Sequence, residues 1–358
     1  MSNIITCEQV SNGHPDKICD QIADAIVTDC LKHDRGSRVA IEVLIKDSHI
    51  IIAGELTSRH KPDYGKLVDD VFERIGWDRV GKDNGLYGFG PDIKVLVKEQ
   101  SPDIALGVDK GGAGDQGMMF GYATNETPEY LPVPFVLATR FLEMLKHHPS
   151  RMFRADAKAQ VSFDYDTGRI TTFLCSVQHS PDVEPADFRH IIEGLMVLVA
   201  AERGLNTDFE KLVNPTGRFV IGGSYADCGV TGRKLACDTY GGVGHIGGGA
   251  MSGKDPSKVD RSGAYMARRI AKDIVRAGYA DKAEVQIAYA IGVAEPVSVH
   301  IETFGTEHDE LEFLESFVKE HYDLTPKGII NYLKLLDVDY NRVSAYGHFG
   351  KKGLPWEI

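Results

Sequence analysis

No run of this 358-residue chain is apolar enough for a bilayer span. The longest apolar run, near Gly194 to Ala201, falls far short of the roughly 20 residues a spanning helix needs. Positive charge is also scarce. Forty Lys and Arg stand against 52 Asp and Glu, a net charge of −12, which repels a nucleic-acid backbone and an anionic membrane surface alike. Neither nucleic acid nor membrane is an expected partner. Cysteine is sparse too: Cys7, Cys19, Cys30, Cys175, Cys228 and Cys237 are too few for a disulfide scaffold, and none forms a C-x-x-C pair. Reduced, mostly buried thiols are expected. Residues Met1 to Glu8 show no basic stretch followed by an apolar run, so the reading is of a cytoplasmic, unanchored protein. What remains, 42% hydrophobic and 26% charged residues, is the balance of a globular chain long enough for two or three domains.

Three stretches alternate as strand pairs joined by tight turns. Arg38 to Ile45 returns through Ile50 to Thr57, Ala157 to Tyr165 through Ile170 to Gln178, and Ala283 to Ile291 through Val297 to Phe304. Each pair is followed by apolar residues at helical spacing: Tyr64 to Ile75, Phe188 to Met196, and Leu311 to Val318. Each is preceded by another helical pattern, with proline near its start, at Pro15 to Leu31, Pro134 to His147 and Pro256 to Gly278. The hairpins begin 119 and 126 residues apart, so a helix–hairpin–helix unit recurs three times without detectable sequence identity. This predicts an α+β fold of three similar domains in pseudo-threefold arrangement, each a small antiparallel sheet covered by helices on one face. The expected domains are 1–99, 111–228 and 229–358, with a mobile loop at 100–110 and terminal segments exchanged between spatial domains.

Glycine is concentrated where basic residues also gather. Pro215 to Arg261 holds 12 of the chain's 38 glycines together with Arg218, Arg233, Lys234, Lys254, Lys258 and Arg261. Close backbone approach plus local positive charge in an acidic protein suits a polyphosphate. Two nucleotide motifs fit here only in part. Gly242-Val-Gly244-His-Ile-Gly247 matches G-x-G-x-x-G but opens no periodic helix, and Gly248 through Lys254 matches a P-loop except that Asp255 replaces the metal-binding hydroxyl. Near the N-terminus, His14-Pro15-Asp16-Lys17 sets an imidazole, a carboxylate and an ammonium at a helix start.

These segments together carry a resemblance. Gly13-His14-Pro15-Asp16-Lys17, Gly112-Ala113-Gly114-Asp115-Gln116-Gly117, Asp156-Ala157-Lys158, Asn214-Pro215-Thr216-Gly217-Arg218-Phe219, Thr231-Gly232-Arg233-Lys234, Asp238-Thr239-Tyr240-Gly241-Gly242 and the run Ser252 to Arg261 look like the motifs of the S-adenosylmethionine synthetase family, in family order up to Tyr346-Gly347-His348-Phe349-Gly350. The resemblance implies transfer of the adenosyl group of ATP to the sulfur of L-methionine, with tripolyphosphate cleaved to pyrophosphate and phosphate. It also implies a homodimer or homotetramer with active sites between subunits. By the same resemblance His14, Lys158, Arg233, Lys234 and Lys254 face the phosphates, and Asp156, Arg218, Phe219, Asp227 and Ala250 complete the nucleotide site. Glu55, Gln100, Asp115, Asp227 and Lys258 take methionine. Asp16 and Asp260 hold Mg2+, Glu42 holds K+, and Glu8 is a further acidic candidate. Two departures stand out: Asn12 replaces the family's usual Glu, which predicts altered metal affinity, and the stretch from Gln100 to Asp115 is shorter than in many bacterial members.

Overall fold

A computed structural model describes residues 3–76, 91–99, 111–150, 152–308 and 311–358. Strand β1 (Ile4–Val10) leads into helix α1 (Pro15–His33), whose first free N–H is taken by the His14 ring and whose first turn carries Pro15. The hairpin β2 (Arg38–Lys46) and β3 (His49–Thr57) turns at Asp47, where φ is 52°. Helix α2 (Tyr64–Ile75) is capped by Asp63, which accepts from Lys66 N, and stops at Gly76 in a left-handed conformation. Strands β4 (Asp92–Lys98) and β5 (Gly117–Thr124) precede helix α3 (Val133–His147). Hairpin β6 (Phe153–Asp164) and β7 (Arg169–His179) is followed by α4 (Pro185–Glu202) and β8 (Glu210–Val213). The last third holds β9 (Gly229–Val230), the single turn α5 (Leu235–Asp238), α6 (Val259–Arg276), β10 (Lys282–Tyr289), β11 (Ser298–Glu302), α7 (Leu311–His321) and α8 (Pro326–Tyr332). The three expected hairpins and their flanking helices are present. Helix α6 starts three residues beyond Pro256 because Asp255 and Ser257 close a local turn there.

The strands form three sheets, in the orders β4-β3-β2-β9, β1-β6-β7-β8 and β11-β10-β5. Each borrows a strand. β1 runs antiparallel to β6 from Ile4↔Asp164 to Val10↔Lys158, β5 pairs with β10 from Gly117↔Tyr289 to Thr124↔Lys282, and β9 joins β2 at Leu44↔Val230. The first third thus gives a strand to the second, the second to the third, and the third back to the first. Pairing is mostly antiparallel, but β4 lies parallel to β3 and β8 parallel to β7.

Helices cover one face of the sheets. β2 buries Val39, Ile41, Val43 and Ile45 beneath α1, and β6 buries Ala157, Ala159, Val161 and Phe163 beneath α3. This period-two alternation leaves Glu42, Lys158 and Gln160 on the outward faces. The core is in two parts. One is the central sheet with α3 and α4, where Phe141 meets Phe173 edge-on at 5.2 Å; the other merges the first and third sheets with the tail residues Tyr340, Phe349 and Trp356. Among the described residues no helix is long and apolar enough to cross a membrane.

Candidate active site

Helix α1 presents a ladder of carboxylates, Asp16, Asp20 and Asp24, at four-residue spacing and therefore on one face. Each rung grips the glycine-rich segment. Asp16 accepts from Val230 N at 2.9 Å and Lys234 Nζ at 2.6 Å. Asp20 accepts from Gly232 N at 2.9 Å and Lys17 Nζ at 2.8 Å. Asp24 accepts from Gly253 N at 3.0 Å and Ser252 Oγ at 3.1 Å, and pairs with the buried Arg261. Burial works against ionisation of Asp16, but Lys234 and the Val230 N–H outweigh it and hold the carboxyl below its usual range.

At the top of this ladder His14, Lys158, Lys234 and Asp227 share one electrostatic neighbourhood. Burial first, then Lys234 and Lys158, push the His14 pKa down to about 3. The ring is therefore neutral at physiological pH. Its Nδ1 accepts from Asp16 N at 3.2 Å, which assigns the ring proton to Nε2 and makes His14 a hydrogen-bond donor there. Asp156 sits beside Lys158. Burial lifts its pKa to about 6, opposed by Gly223 N–H and Lys158 and reinforced by Asp227. Its Oδ2 accepts from Gly223 N at 2.7 Å, whereas Oδ1 is buried with no protein partner. A buried lone acceptor of this kind is costly until a donor arrives.

A second group gathers where the segment 249–254 crosses β2. Lys254 forms an isolated antiparallel bridge with Ala40, and Ile41 N donates to Gly253 O at 2.9 Å. Lys254 Nζ lies 2.6 Å from Asp260 Oδ2, and both side chains are about one-fifth exposed. Two glycines allow this: a Cβ on Gly249 would overlap the Asp260 carboxyl, and Gly253, at φ 81°, lies against Ile41 O. Glu42 feels Lys254 as well; burial raises its pKa, with Lys254 opposing. Glu42, Glu55, Lys98, Glu99 and Lys254 line a cavity of about 460 Å³. Lys258 Nζ is engaged by Asp255 Oδ2 at 2.6 Å. The two groups meet through Gly232, whose backbone abuts Ala250, and through Thr231, bonded to Val43 N at 2.6 Å.

Other candidate residues stand further out in the single chain. Asp115, Arg218, Asp227 and Arg233 are exposed, and Phe219 is half-buried, anchored by its N–H to His179 Nε2 at 3.0 Å. Glu8 lies opposite Gln160, on the outward face that Lys158 shares. Gln100 and the proposed mobile loop 100–110 lie outside the described residues. Asn12 is buried, its Oδ1 accepting from Tyr346 OH at 2.9 Å. Neither partial nucleotide motif gains a supporting context, since no helix begins between Gly242 and Val259.

The sequence reading used Asp16 and counted Lys17 and Arg261 only as local charge, while Asp20 and Asp24 were passed over. Lys17 is wholly buried, held between Asp20 and Asp238, and Arg261 is wholly buried against Asp24. The i, i+4, i+8 spacing of the three aspartates was the available signal, because charges rarely recur along one buried helix face without partners.

An α+β scaffold of three strand-exchanged sheets, with lysine–aspartate pairs on a glycine-lined floor and a neutral imidazole donor beside them, is suited to holding a polyanion and its counter-cations. The comparisons with known proteins narrow that class. Residues 2–102, 110–219 and 221–358 match, in turn, the N-terminal, central and C-terminal domains of S-adenosylmethionine synthetase. The chain is 46% identical over 366 residues to the S-adenosylmethionine synthase of Mycoplasma capricolum subsp. capricolum, covering 99% of this chain and 94% of the relative. It is 45% identical over 372 residues to that of Mesoplasma florum, covering 100% and 97%. This chain belongs to the S-adenosylmethionine synthetase family.

Proposed function

We propose that this chain makes S-adenosylmethionine from ATP and L-methionine in the basin between α1, the 230–234 segment and the 249–260 segment. The methionine sulfur attacks C5′ of the ribose, the C5′–O5′ bond breaks, and O5′ leaves with tripolyphosphate, which water then splits into pyrophosphate and phosphate. A thioether has no proton to lose, so the step needs no general base. Alignment and stabilisation of the leaving charge carry the catalysis.

The reading rests on the pairs Lys234–Asp16 and Lys254–Asp260. In the free protein each lysine neutralises a carboxylate; with nucleotide bound, the ammoniums turn to the phosphates and the carboxylates are released for metal ions. His14, through Nε2–H, Lys158 and Arg233 complete the phosphate contacts. Asp16 and Asp260 offer oxygen donors only, which fits a hard cation such as Mg2+, and Glu42 offers the same to K+. Bound there, the cations would neutralise phosphate charge. Glu8 is a further acidic candidate on the rim. Asp156 Oδ1, buried without a partner, suits a ribose hydroxyl, and Phe219 offers an aromatic face to adenine, flanked by Arg218, Asp227 and Ala250. Glu55, Gln100, Asp115, Asp227 and Lys258 are assigned to methionine. Exposed site residues in the single chain accord with a homo-oligomer whose active sites lie between subunits, in the cytoplasm.

The test is mass spectrometry of the protein incubated with ATP, methionine, Mg2+ and K+. The expected products are S-adenosylmethionine, pyrophosphate and phosphate in equal amounts, with turnover lost on Mg2+ removal. Formation of ADP, or no methionine-dependent product, overturns the proposal.

A further inference from the structure

At the opposite end of α1, roughly 20 Å along the helix from Asp16, the chain brings together groups that the adenosyl-transfer reading does not use. Asp29 and His33, one helical turn apart, face His60 from the loop after β3. One ligand atom from each lies within 4.8 Å of the others. His60 Nε2 is 2.6 Å from Asp29 Oδ2, and His33 Nδ1 is 3.3 Å from Asp29 Oδ1. The two imidazoles stack at 4.1 Å with planes 15° apart, and His33 Nδ1 also lies 2.9 Å from Asp29 O, so the rings must turn out of the stack for both nitrogens to meet one ion.

The framework behind these residues is tied down. Asp34, just past the end of α1, accepts from Arg59 N and from the Arg59 guanidinium, both at 2.9 Å. Ser58 Oγ bonds Ser37 Oγ at 2.7 Å and accepts from His60 N at 3.1 Å. The loop carrying His60 is therefore fixed to the end of α1 without help from the His–Asp contacts. Three ligands on two separately anchored elements constitute a site whose ordering cost is largely met before any ion arrives.

We propose that Asp29, His33 and His60 form a binding site for a divalent transition-metal ion of the zinc class. Two imidazole nitrogens and one carboxylate oxygen select such ions over Mg2+. The 3.3 Å separation of His33 Nδ1 and Asp29 Oδ1 is near the edge, about 3.3 Å, of a tetrahedron with metal–ligand bonds near 2.05 Å; to admit the ion, His60 Nε2 draws back from its 2.6 Å contact with Asp29 Oδ2 and His33 Nδ1 gives up its 2.9 Å contact with Asp29 O. Water fills the remaining position. The ion clips the end of α1 to the end of β3; α1 carries Asp16 in its first turn, and β3 carries Glu55 in the cavity with Lys254. Its role is structural, and none of its ligands belongs to the proposed active site.

The test is calorimetric titration of Zn2+ into the full chain in excess Mg2+, with the ion count checked by elemental analysis. The wild type should take up one more Zn2+ per chain than the His33→Ala/His60→Ala double variant. Asp29→Asn and His33→Gln, milder surface changes, should each weaken that ion at least about tenfold. Circular dichroism confirms that each variant is folded. Equal Zn2+ uptake by wild type and double variant, whether at zero ions or more, shows that the cluster is only a hydrogen-bonded surface contact and overturns the proposal.

Discussion

Replacing Lys254 with Ala separates the energetics of binding from those of catalysis. In the free protein the ammonium is already partnered by Asp260 Oδ2 at 2.6 Å. Moving it to a phosphate exchanges one anion for another, so its net contribution to ground-state affinity is small. A partly exposed pair of this kind is worth about 0.2–1 kcal/mol, and ATP affinity should weaken by less than about tenfold. The transition state differs. As C5′–O5′ breaks, negative charge accumulates on the leaving oxygens, and a fixed cation held on the glycine floor by Gly253 and Ala40 meets it without reorganisation. Loss of one such donor costs about a hundred- to thousandfold in rate, about 2.7–4 kcal/mol. Rapid-quench single turnovers at saturating ATP and methionine measure the rate, and equilibrium dialysis without methionine measures ATP affinity. A single-turnover rate within about tenfold of wild type, in a folded variant, refutes the phosphate-clamp role.

Burial and two lysines hold His14 at a pKa of about 3, so only the unfolded chain takes up this proton as pH falls through about 6.5; stability is present above that value and lost below it. His14→Asn keeps a capping acceptor and removes the titration, so its unfolding free energy should lose about 1.4 kcal/mol less between about pH 7.5 and about pH 5.5 in urea melts. Identical pH dependence in both proteins would refute the neutral imidazole. Gly249→Ala drives a methyl into the Asp260 carboxyl, whereas Gly248→Ala meets nothing within 4 Å; the first should cut turnover at least about tenfold and the second leave it near normal. Leu96, Met118, Ile291, Val293 and Val297 are exposed on the single chain, so sedimentation at micromolar concentration should show at least a dimer, and an active monomer would contradict the shared-site proposal.

Local chemistry was legible in the sequence where pattern and partner lie close together. The alternation Arg38 to Ile45 and its return yielded β2 and β3 nearly to the residue, and the apolar spacing of Tyr64 to Ile75 yielded α2. Strand exchange was expected in general terms, but no local feature of Ile4 to Val10 names Lys158 to Asp164 as its partner. The two-residue β9 is below any periodicity signal, and the edge strands β4 and β8 pair in parallel only because the folded sheets bring their partners alongside. The site shows the same division. Motifs supplied Asp16, Lys234, Lys254 and Asp260, yet the lysine–aspartate pairing across 218 residues for one pair needs the tertiary fold. Asp20 and Asp24 were readable from spacing alone, but only the structure shows them binding Gly232 and Gly253.

The most direct test of adenosyl transfer follows the oxygen that bridges ribose C5′ and the α-phosphorus. With that atom enriched in 18O, incubation with methionine, Mg2+ and K+ should deliver the label entirely to the phosphate products and leave S-adenosylmethionine unlabelled, because the bond broken is C5′–O5′. Label retained on the nucleoside, as in ADP or AMP, would mean cleavage at phosphorus and would contradict the account.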